Sequence, residues 1–341
     1  MSIIRKAKYL VLTALLLSLS HITSAETIMR VASWLPPTHV QNAVVWPTWG
    51  KWIEEATEGR IKLKIEYGLG HPKTLFELVE DGVADASFSY HGYVPGRFKL
   101  ALGVEEPLMG ASAEATSVAY WRVHQKYFEA ANEHDGLTVA GVFVHGPGQI
   151  QTIEPITSLA DLKGKKIRIG GGVPSEIGHR LGVTPVGAPA PKVYELLQQG
   201  IVDGVFLPIA EQKTLRLNEV ARNVVMLPGG MYLGSFSIFI NPDFLDSLSE
   251  KDRSAIMSIS GEQLSAMAGK AWDSADAVGL RTAEEAGVNL VKVSENDAFE
   301  ADFKQLVEGM DQIWLDSVAD RGVDAKSALD ELRSIARSYK E

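Results

Sequence analysis

The chain has 341 residues, of which 33 are lysine or arginine and 43 are aspartate or glutamate, giving a formal net charge of −10. This acidic balance, with no evident basic cluster, excludes nucleic acid as a partner, because phosphate binding depends on lysine and arginine. The chain contains no cysteine. It therefore forms no disulfide and offers no thiol nucleophile, no cysteine-ligated metal site and no cysteine for lipid attachment.

The first 25 residues have the pattern of a secretory signal peptide. A basic segment at 5–8 precedes an apolar stretch at 9–19, and small residues at 23–25 offer a cleavage site. A membrane anchor would need about 20 apolar residues, so the pattern favours a cleaved signal peptide over an anchor. We expect export to the periplasm and a mature chain that begins at Glu26.

The mature chain opens with alternating strands and helices. Residues 27–34 predict a strand, because they are apolar-rich and end just before two prolines. Apolar residues recur at helical spacing over 46–56, and the helix is expected to stop at Gly59. Residues 61–67 alternate between apolar and charged side chains, which indicates a strand with one solvent-exposed face. This order predicts a mostly parallel sheet flanked by helices.

One phrase of thirteen residues occurs twice, as FELVEDGVADASF at 76–88 and YELLQQGIVDGVF at 194–206, with five identical positions. Each copy predicts the end of an amphipathic helix, a glycine stop and a short buried strand. The copies lie too far apart to be neighbouring units of a solenoid. They predict two lobes built on the same plan, with a ligand cleft between them.

The second half of the chain predicts a hinge, a returning strand and a long helix. The hinge is expected at 146–148, where two glycines flank a proline, and the returning strand at 235–240. Over 252–286 there is no proline, and three glycines alone interrupt the helical periodicity. A helix of this length could brace both lobes. Two further amphipathic helices are predicted around 296–319 and 324–339.

These elements divide the mature chain into two lobes. The first lobe is expected to comprise 26–146, with about 235–270 returning to it. The second lobe is expected to comprise 147–234, with the helices of about 275–341 packing on it. The order of elements makes the fold class α/β.

Motifs of catalysis and cofactor binding are missing. The sequence has no phosphate-binding GxxxxGK[ST], no HExxH and no GxSxG. Three glycines at 170–172 follow a strand, but Ser175 stands where a dinucleotide fingerprint needs its last glycine. The eight histidines are scattered, and polar loop positions explain them better than a metal site. No cofactor, metal or catalytic residue is predicted.

Arg168 is the charged residue that stands out. It lies in a predicted strand between Ile167 and Ile169, which should face the other surface of the sheet. A strand arginine must meet solvent or an anion, because burying it unpaired is costly. At the end of a cleft strand it could grip a carboxylate bidentately, although a structural salt bridge explains the pattern equally well.

Aromatic residues gather at predicted strand ends: Trp34, Tyr90, Phe206, Tyr232 and Phe236. Aromatics at such spacing are commonly core residues. The strand-to-loop junctions of open α/β sheets, however, face the ligand crevice. Both interpretations remain open for these five side chains.

Several segments resemble the solute receptors of tripartite ATP-independent periplasmic (TRAP) transporters, of the DctP type. The most specific is LKGKKIRIGGG at 162–172, continued by LGVTPVGAPAPKVYELLQQGIVDG at 181–204. The phrases ATEGRIKLKIEYGLG at 56–70 and FINPDFLDSLSEKDRSAI at 239–256 also match the family. The resemblance covers essentially the whole mature chain.

The resemblance implies a two-lobed, periplasmic-binding-protein-like (type II) fold with a long helix that spans both lobes. It also implies a receptor that closes on an organic acid and delivers it to small and large TRAP membrane subunits. Arg168 matches the arginine with which the family grips the ligand carboxylate. The implied protein is not an enzyme.

Four positions depart from the pattern of the family's sugar-acid receptors. A second arginine after the crossover is replaced by Gln149, and a polar pair by Phe206 and Leu207. A polar or acidic residue is replaced by Tyr90–His91, and an asparagine by Trp34. These changes disfavour a polyhydroxylated or dicarboxylate ligand.

A pocket with one arginine and several aromatics predicts an aromatic or hydrophobic monocarboxylate. The alternatives are a betaine- or sulfonium-type zwitterion held by cation–π contacts, or a C4-dicarboxylate. His91 and Gln149 could bond a ring substituent. The predicted ligand-binding residues are Arg168, Trp34, Tyr90, His91, Phe206, Gln149, Tyr232, Phe236 and His39.

Two other classes of protein are compatible with parts of this pattern. A periplasmic enzyme could use His39 or His91 with an acidic partner, but no nucleophile–base spacing supports it. An ABC-type receptor or a sensor for a membrane kinase would share a related fold. The long helix and the KGKKIRI segment favour the TRAP receptor.

Overall fold

Two β-sheets form the centres of two lobes in a computed structural model that describes residues 26–340. The predicted signal peptide lies outside the described residues. Within 26–340, no helix is long and apolar enough to cross a membrane. In chain order, the strands are β1 (Thr27–Ser33), β2 (Ile61–Tyr67), β3 (Ala86–Tyr90), β4 (Thr138–Val144), β5 (Gly148–Thr152), β6 (Lys166–Ile169), β7 (Thr184–Gly187), β8 (Gly204–Pro208), β9 (Asn223–Met226), β10 (Ser235–Ile240) and β11 (Asn289–Lys292).

The described α-helices surround these sheets. They are α1 (Trp46–Ala56), α2 (Leu75–Glu80), α3 (Ala113–Val123), α4 (Val173–Arg180), α5 (Val193–Gln198), α6 (Glu211–Thr214), α7 (Pro242–Ser247), α8 (Glu250–Ser258), α9 (Glu262–Glu285), α10 (Ala298–Leu306), α11 (Met310–Ser317) and α12 (Ala325–Ser338). The α/β fold class predicted from the sequence is confirmed.

The first lobe contains a five-stranded sheet in the order β2-β1-β3-β10-β4. Its first three strands are parallel, whereas β10 runs antiparallel to both of its neighbours. The second lobe contains a six-stranded sheet in the order β11-β9-β5-β8-β6-β7. Here β6 lies parallel to β7 and β8, and β5 runs antiparallel to β8 and β9. The chain thus enters the second lobe with β5 and returns to the first with β10.

The repeated phrase performs the same structural task in each lobe. Its aspartate, Asp85 or Asp203, follows the glycine stop and precedes a buried strand. Asp85 Oδ2 accepts the backbone N–H of Arg30 at 2.7 Å, and Asp203 Oδ2 accepts that of Lys166 at 2.7 Å. Each aspartate therefore ties the start of its own strand to the neighbouring parallel strand, in the middle of β1 or at the start of β6, which explains why the same residue type recurs in both copies.

The long helix α9 braces both lobes, as the sequence predicts, and two of its glycines permit close backbone contact. A Cβ added at Gly269 would lie 2.5 Å from the carbonyl oxygen of Ala113 in the first lobe. A Cβ added at Gly279 would lie 2.2 Å from the carbonyl oxygen of Ile209 in the second. The helix begins later than the expected residue 252, because Gly261 adopts a positive φ of 71° and separates α8 from α9.

The C-terminal helices differ from the expectation that 275–341 packs on the second lobe. Helix α10 does bury aromatic side chains in the second-lobe core. Helix α11 contributes Met310 to the second-lobe core and Trp314 to the first, and α12 packs on the first lobe. Trp314 Nε1 donates to the carbonyl oxygen of Lys99 at 3.0 Å. The Trp314 ring lies over Gly103, whose lack of a side chain leaves room for it. Amphipathic spacing predicts that a helix packs, but not on which lobe.

Candidate ligand-binding site

A cavity lies between the two lobes, with about 430 Å³ of space that no atom fills, part of it open to solvent. Both sheets, their connecting loops and the brace helix α9 contribute to its wall. Its lining residues are Trp34, Leu35, His39, Tyr90, Tyr93, His145, Arg168, Gly170, Ala190, Leu207, Glu211, Tyr232, Phe236 and Trp272. The wall combines aromatic surface with a few charged and polar groups.

Arg168 reaches this cavity from β6 and is 2% exposed. Its Nε donates to the carbonyl oxygen of Ala188 at 2.8 Å, and its Nη2 lies 3.4 Å from Tyr93 Oη. Within the described part of the chain, no carboxylate forms an ion pair with it. A buried guanidinium without an anion is unfavourable, so this arrangement could receive a negatively charged group.

Tyr93 connects the first lobe to the arginine of the second. Besides contacting Arg168, its hydroxyl accepts the backbone N–H of Ala190 at 2.8 Å. Burial raises the pKa of Tyr93, so the phenol stays protonated. Sequence analysis missed this residue, although its position three residues after Tyr90 was a usable signal.

The aromatic wall is held by ring contacts and hydrogen bonds. Trp34 stacks on Phe88 at 5.1 Å between ring centroids, and its Nε1 donates to the carbonyl oxygen of Phe88 at 2.9 Å. Its edge meets Tyr93 at 5.6 Å. On the brace helix, Trp272 lies with its centroid 5.8 Å from that of His145. A flat apolar ligand could pack against these rings.

Close to the cavity, Glu105 of the first lobe holds the start of α4 in the second. It is fully buried, and its Oε2 accepts the N–H of Val173 at 3.0 Å and lies 3.1 Å from Tyr90 Oη. The Tyr90 hydroxyl is also 3.0 Å from the carbonyl oxygen of Gly171. Glu105 Oε1 accepts both the N–H and the hydroxyl of Ser235. Burial raises the pKa of Glu105 to about 7, against the opposing effect of these hydrogen bonds.

We expect Glu105→Gln to change how the free energy of unfolding depends on pH. The pKa of Glu105 is about 7 in the folded protein, whereas the pKa of a free glutamate is about 4.3. The stability that its proton confers is therefore complete below about pH 4.3 and is lost as the pH rises through about 7. Glutamine cannot accept all of the hydrogen bonds, so the variant should be less stable at pH 5. That deficit should shrink by roughly 1–3 kcal/mol between about pH 5 and pH 8.

Urea unfolding of both proteins across this pH range measures the difference. Glu77→Gln, at an exposed position of α2, is the control and should show a difference from the wild type that does not vary with pH. Parallel curves for wild type and Glu105→Gln would contradict the assignment.

Six of the nine predicted site residues line the cavity, and three do not. Trp34, His39, Tyr90, Arg168, Tyr232 and Phe236 are brought together there. His91, Phe206 and Gln149 were also predicted to contact the ligand, but the structure places them outside the cavity wall. Leu207 faces the cavity and its neighbour Phe206 points elsewhere, because successive side chains of a strand alternate between its faces. His91 follows Tyr90 just beyond the end of β3 and does not line the cavity.

The three misplaced residues have structural partners of their own. His91 lies in a buried cluster, where its Nδ1 is 3.0 Å from Ser235 Oγ and its Nε2 is 3.3 Å from His134 Nε2. Burial lowers the pKa of His91 to about 3, so the ring is neutral. Gln149 Oε1 accepts the N–H of Leu227 at 2.9 Å, and the carbonyl oxygen of Phe206 accepts the hydroxyl of Tyr232.

Sequence analysis missed eight lining residues: Leu35, Tyr93, His145, Gly170, Ala190, Leu207, Glu211 and Trp272. His145 was recognisable as a histidine beside a strand end. It is buried, which lowers its pKa to about 4 and keeps the ring neutral. No sequence pattern around Glu211 or Trp272 indicated that these residues line a cavity. Within 26–340, no group of three or more histidine, aspartate or glutamate side chains is arranged to hold a metal ion.

Comparison with known proteins agrees with this architecture. Residues 31–318 match the family described as "Bacterial extracellular solute-binding protein, family 7", DctP. The chain belongs to this family. Its members are solute-binding receptors of transport systems and not enzymes, which confirms the TRAP receptor predicted from the sequence.

Two solved structures are particularly similar. A TRAP periplasmic solute-binding protein of Bordetella bronchiseptica, with bound (R)- and (S)-mandelate, is 35% identical, with a TM-score of 0.88 over 91% of this chain and 99% of that one. A TRAP solute-binding protein from a marine metagenome, described as specific for aromatic acid ligands, was solved with metahydroxyphenylacetate. It is 32% identical, with a TM-score of 0.85 over 93% of this chain and 100% of that one.

Among named relatives, the "Outer membrane transporter protein TsaT" of Comamonas testosteroni is 33% identical over 306 residues, which is 89% of each chain.

Proposed function

We propose that the protein is a periplasmic receptor that closes on an aromatic monocarboxylate and delivers it to a TRAP membrane permease. The observation that carries this proposal is Arg168, a buried guanidinium with no carboxylate partner among the described residues, in a cavity walled by aromatic rings. One fork-shaped cation matches one carboxylate, and the rings match an apolar, flat remainder. The aromatic acids bound by the two similar receptors support the same ligand class.

Glu211 argues against a C4-dicarboxylate. It lines the same cavity and is buried, so a second ligand carboxylate near it would meet like charge without a second lysine or arginine in the wall. A betaine-type zwitterion is the second candidate, because Glu211 and the aromatic rings could hold its cationic head. The signal peptide predicted at 1–25 and the family's described extracellular location support the periplasmic role.

Intrinsic fluorescence tests the ligand class, because two of the seven tryptophans, Trp34 and Trp272, line the cavity. We expect benzoate to change the emission of the mature protein saturably, and Trp34→Phe to diminish that change. Trp52→Phe, on α1 and away from the cavity wall, is the matched control and should respond as the wild type does. A response to glycine betaine or succinate with none to aromatic acids would overturn the proposal.

A further inference from the structure

Two buried polar groups from opposite lobes face each other in the cavity wall without forming a hydrogen bond. His39 lies in the loop after β1 and is 0% exposed, and Glu211 begins α6 and is 3% exposed. His39 Nε2 is 3.5 Å from Glu211 Oε1 and has no hydrogen-bond partner among the described residues. Buried polar atoms are normally satisfied, so this gap indicates that the ligand supplies the missing partner.

The protonation of the pair follows from its other contacts. The backbone N–H of Gln41 donates to His39 Nδ1 at 3.2 Å. Since Nδ1 is the acceptor, the ring carries its proton on Nε2. Glu211 Oε2 accepts the hydroxyl of Thr214, which leaves Oε1 free to accept. The pair therefore presents one donor and one acceptor to the cavity.

A hydroxyl group fits this pair because it accepts one hydrogen bond and donates another. An ammonium group has no lone pair for His39 Nε2–H, and a carboxylate has no proton for Glu211. We propose that the ligand is a hydroxylated aromatic monocarboxylate, whose hydroxyl accepts from His39 and donates to Glu211 while Arg168 holds its carboxylate. This inference rests on the proposed function, since it specifies the ligand of the same cavity.

Such a hydroxyl would decide selectivity and assist closure. It would bridge the two lobes, because His39 belongs to the first and Glu211 to the second. A ligand without it would leave two buried polar groups unpaired, and sites of that kind can discriminate by up to about 10⁴-fold. We expect a preference of at least about tenfold here, because the two groups can still interact weakly with each other.

Calorimetric titration of the purified mature protein tests the proposal. The ligands are benzoate, its 2-, 3- and 4-hydroxy isomers, 3-methylbenzoate as a control for shape, and 3-(aminomethyl)benzoate for the cationic alternative. One hydroxy isomer should bind at least tenfold more tightly than benzoate, and the methyl and aminomethyl compounds should not.

Variants of the pair then identify the groups responsible. Glu211→Leu should reduce the hydroxyl preference to below threefold. Glu211→Gln should keep more of it, because the amide oxygen still accepts a hydrogen bond. Glu219→Leu, at an exposed position of the same lobe, is the control and should keep all of it. His39→Met provides the same test from the other lobe if Glu211→Leu fails to fold by circular dichroism.

The outcomes separate the two proposals. If none of the aromatic acids binds, the proposed function itself fails. If benzoate and all of its hydroxy isomers bind within threefold of one another, only the inference about the hydroxyl fails. A preference that survives both Glu211→Leu and His39→Met, or tighter binding of the aminomethyl compound, would also overturn it.

Discussion

Arg168→Met is expected to abolish most ligand affinity while the protein stays folded. Truncating one partner of a desolvated, hydrogen-bonded charge pair costs about 2–5 kcal/mol, which corresponds to a loss of roughly 30-fold to several thousand-fold in Kd. The ligand-free variant should unfold at the same temperature as the wild type or higher. The reason is that Arg168 is 2% exposed without a protein carboxylate, so its charge is a cost in the absence of ligand.

Calorimetry with an aromatic acid and thermal unfolding without ligand measure the two effects. Arg168→Lys should recover little affinity, because an ammonium group cannot form the planar fork. Arg222→Met, at an exposed arginine of the same lobe that bonds the carbonyl oxygen of Ala286, is the control. Wild-type affinity in a folded Arg168→Met protein would exclude the arginine as the carboxylate-binding group.

Gly171→Ala is expected to block closure of the lobes. Gly171 of the second lobe has a φ of 115°, and a Cβ at this position would lie 2.0 Å from the carbonyl oxygen of Gly92 in the first. The clash involves backbone on both sides, so no side-chain rotation can relieve it. If the substitution disfavours the closed form, the apparent affinity falls in proportion to the population of that form. We expect affinity to fall by about 100-fold or more.

Small-angle scattering measures whether the lobes of this variant close when ligand binds. Saturating ligand should contract the wild type and should leave Gly171→Ala extended. Gly200→Ala controls for backbone strain, because Gly200 also has a positive φ, of 67°, but has nothing within 4 Å of its added Cβ. If Gly171→Ala contracts as the wild type does, the close approach at Gly92 does not limit closure.

The local features of this fold could be predicted from sequence. The repeated phrase at 76–88 and 194–206 encodes helix, glycine stop and strand within a few residues, and each copy forms in its own lobe. The long helix α9 followed from the absence of proline. Its start did not, because the positive φ at Gly261 ends one helical segment and begins another, and periodicity alone does not reveal that break.

The site could be predicted only in part, for two physical reasons. Side chains alternate along a strand, so a shift of one residue moves a side chain from the cavity to the core: Leu207 lines the cavity, whereas Phe206 lies in the core. Contacts between residues that are far apart in the sequence could not be predicted. Glu211 reaches the cavity from the short helix α6, and Trp272 reaches it from the brace helix α9. Arg168, which lines the cavity, could be singled out because an arginine between isoleucines in a strand is already unusual in sequence.

A crystal structure of the mature protein with an aromatic acid tests the central claim most directly. We predict that both carboxylate oxygens lie within hydrogen-bonding distance of the Arg168 guanidinium, with the ring of the acid packed among Trp34, Tyr232 and Trp272. A carboxylate bound elsewhere in the cavity, with Arg168 paired to a protein group or to solvent, would contradict the account.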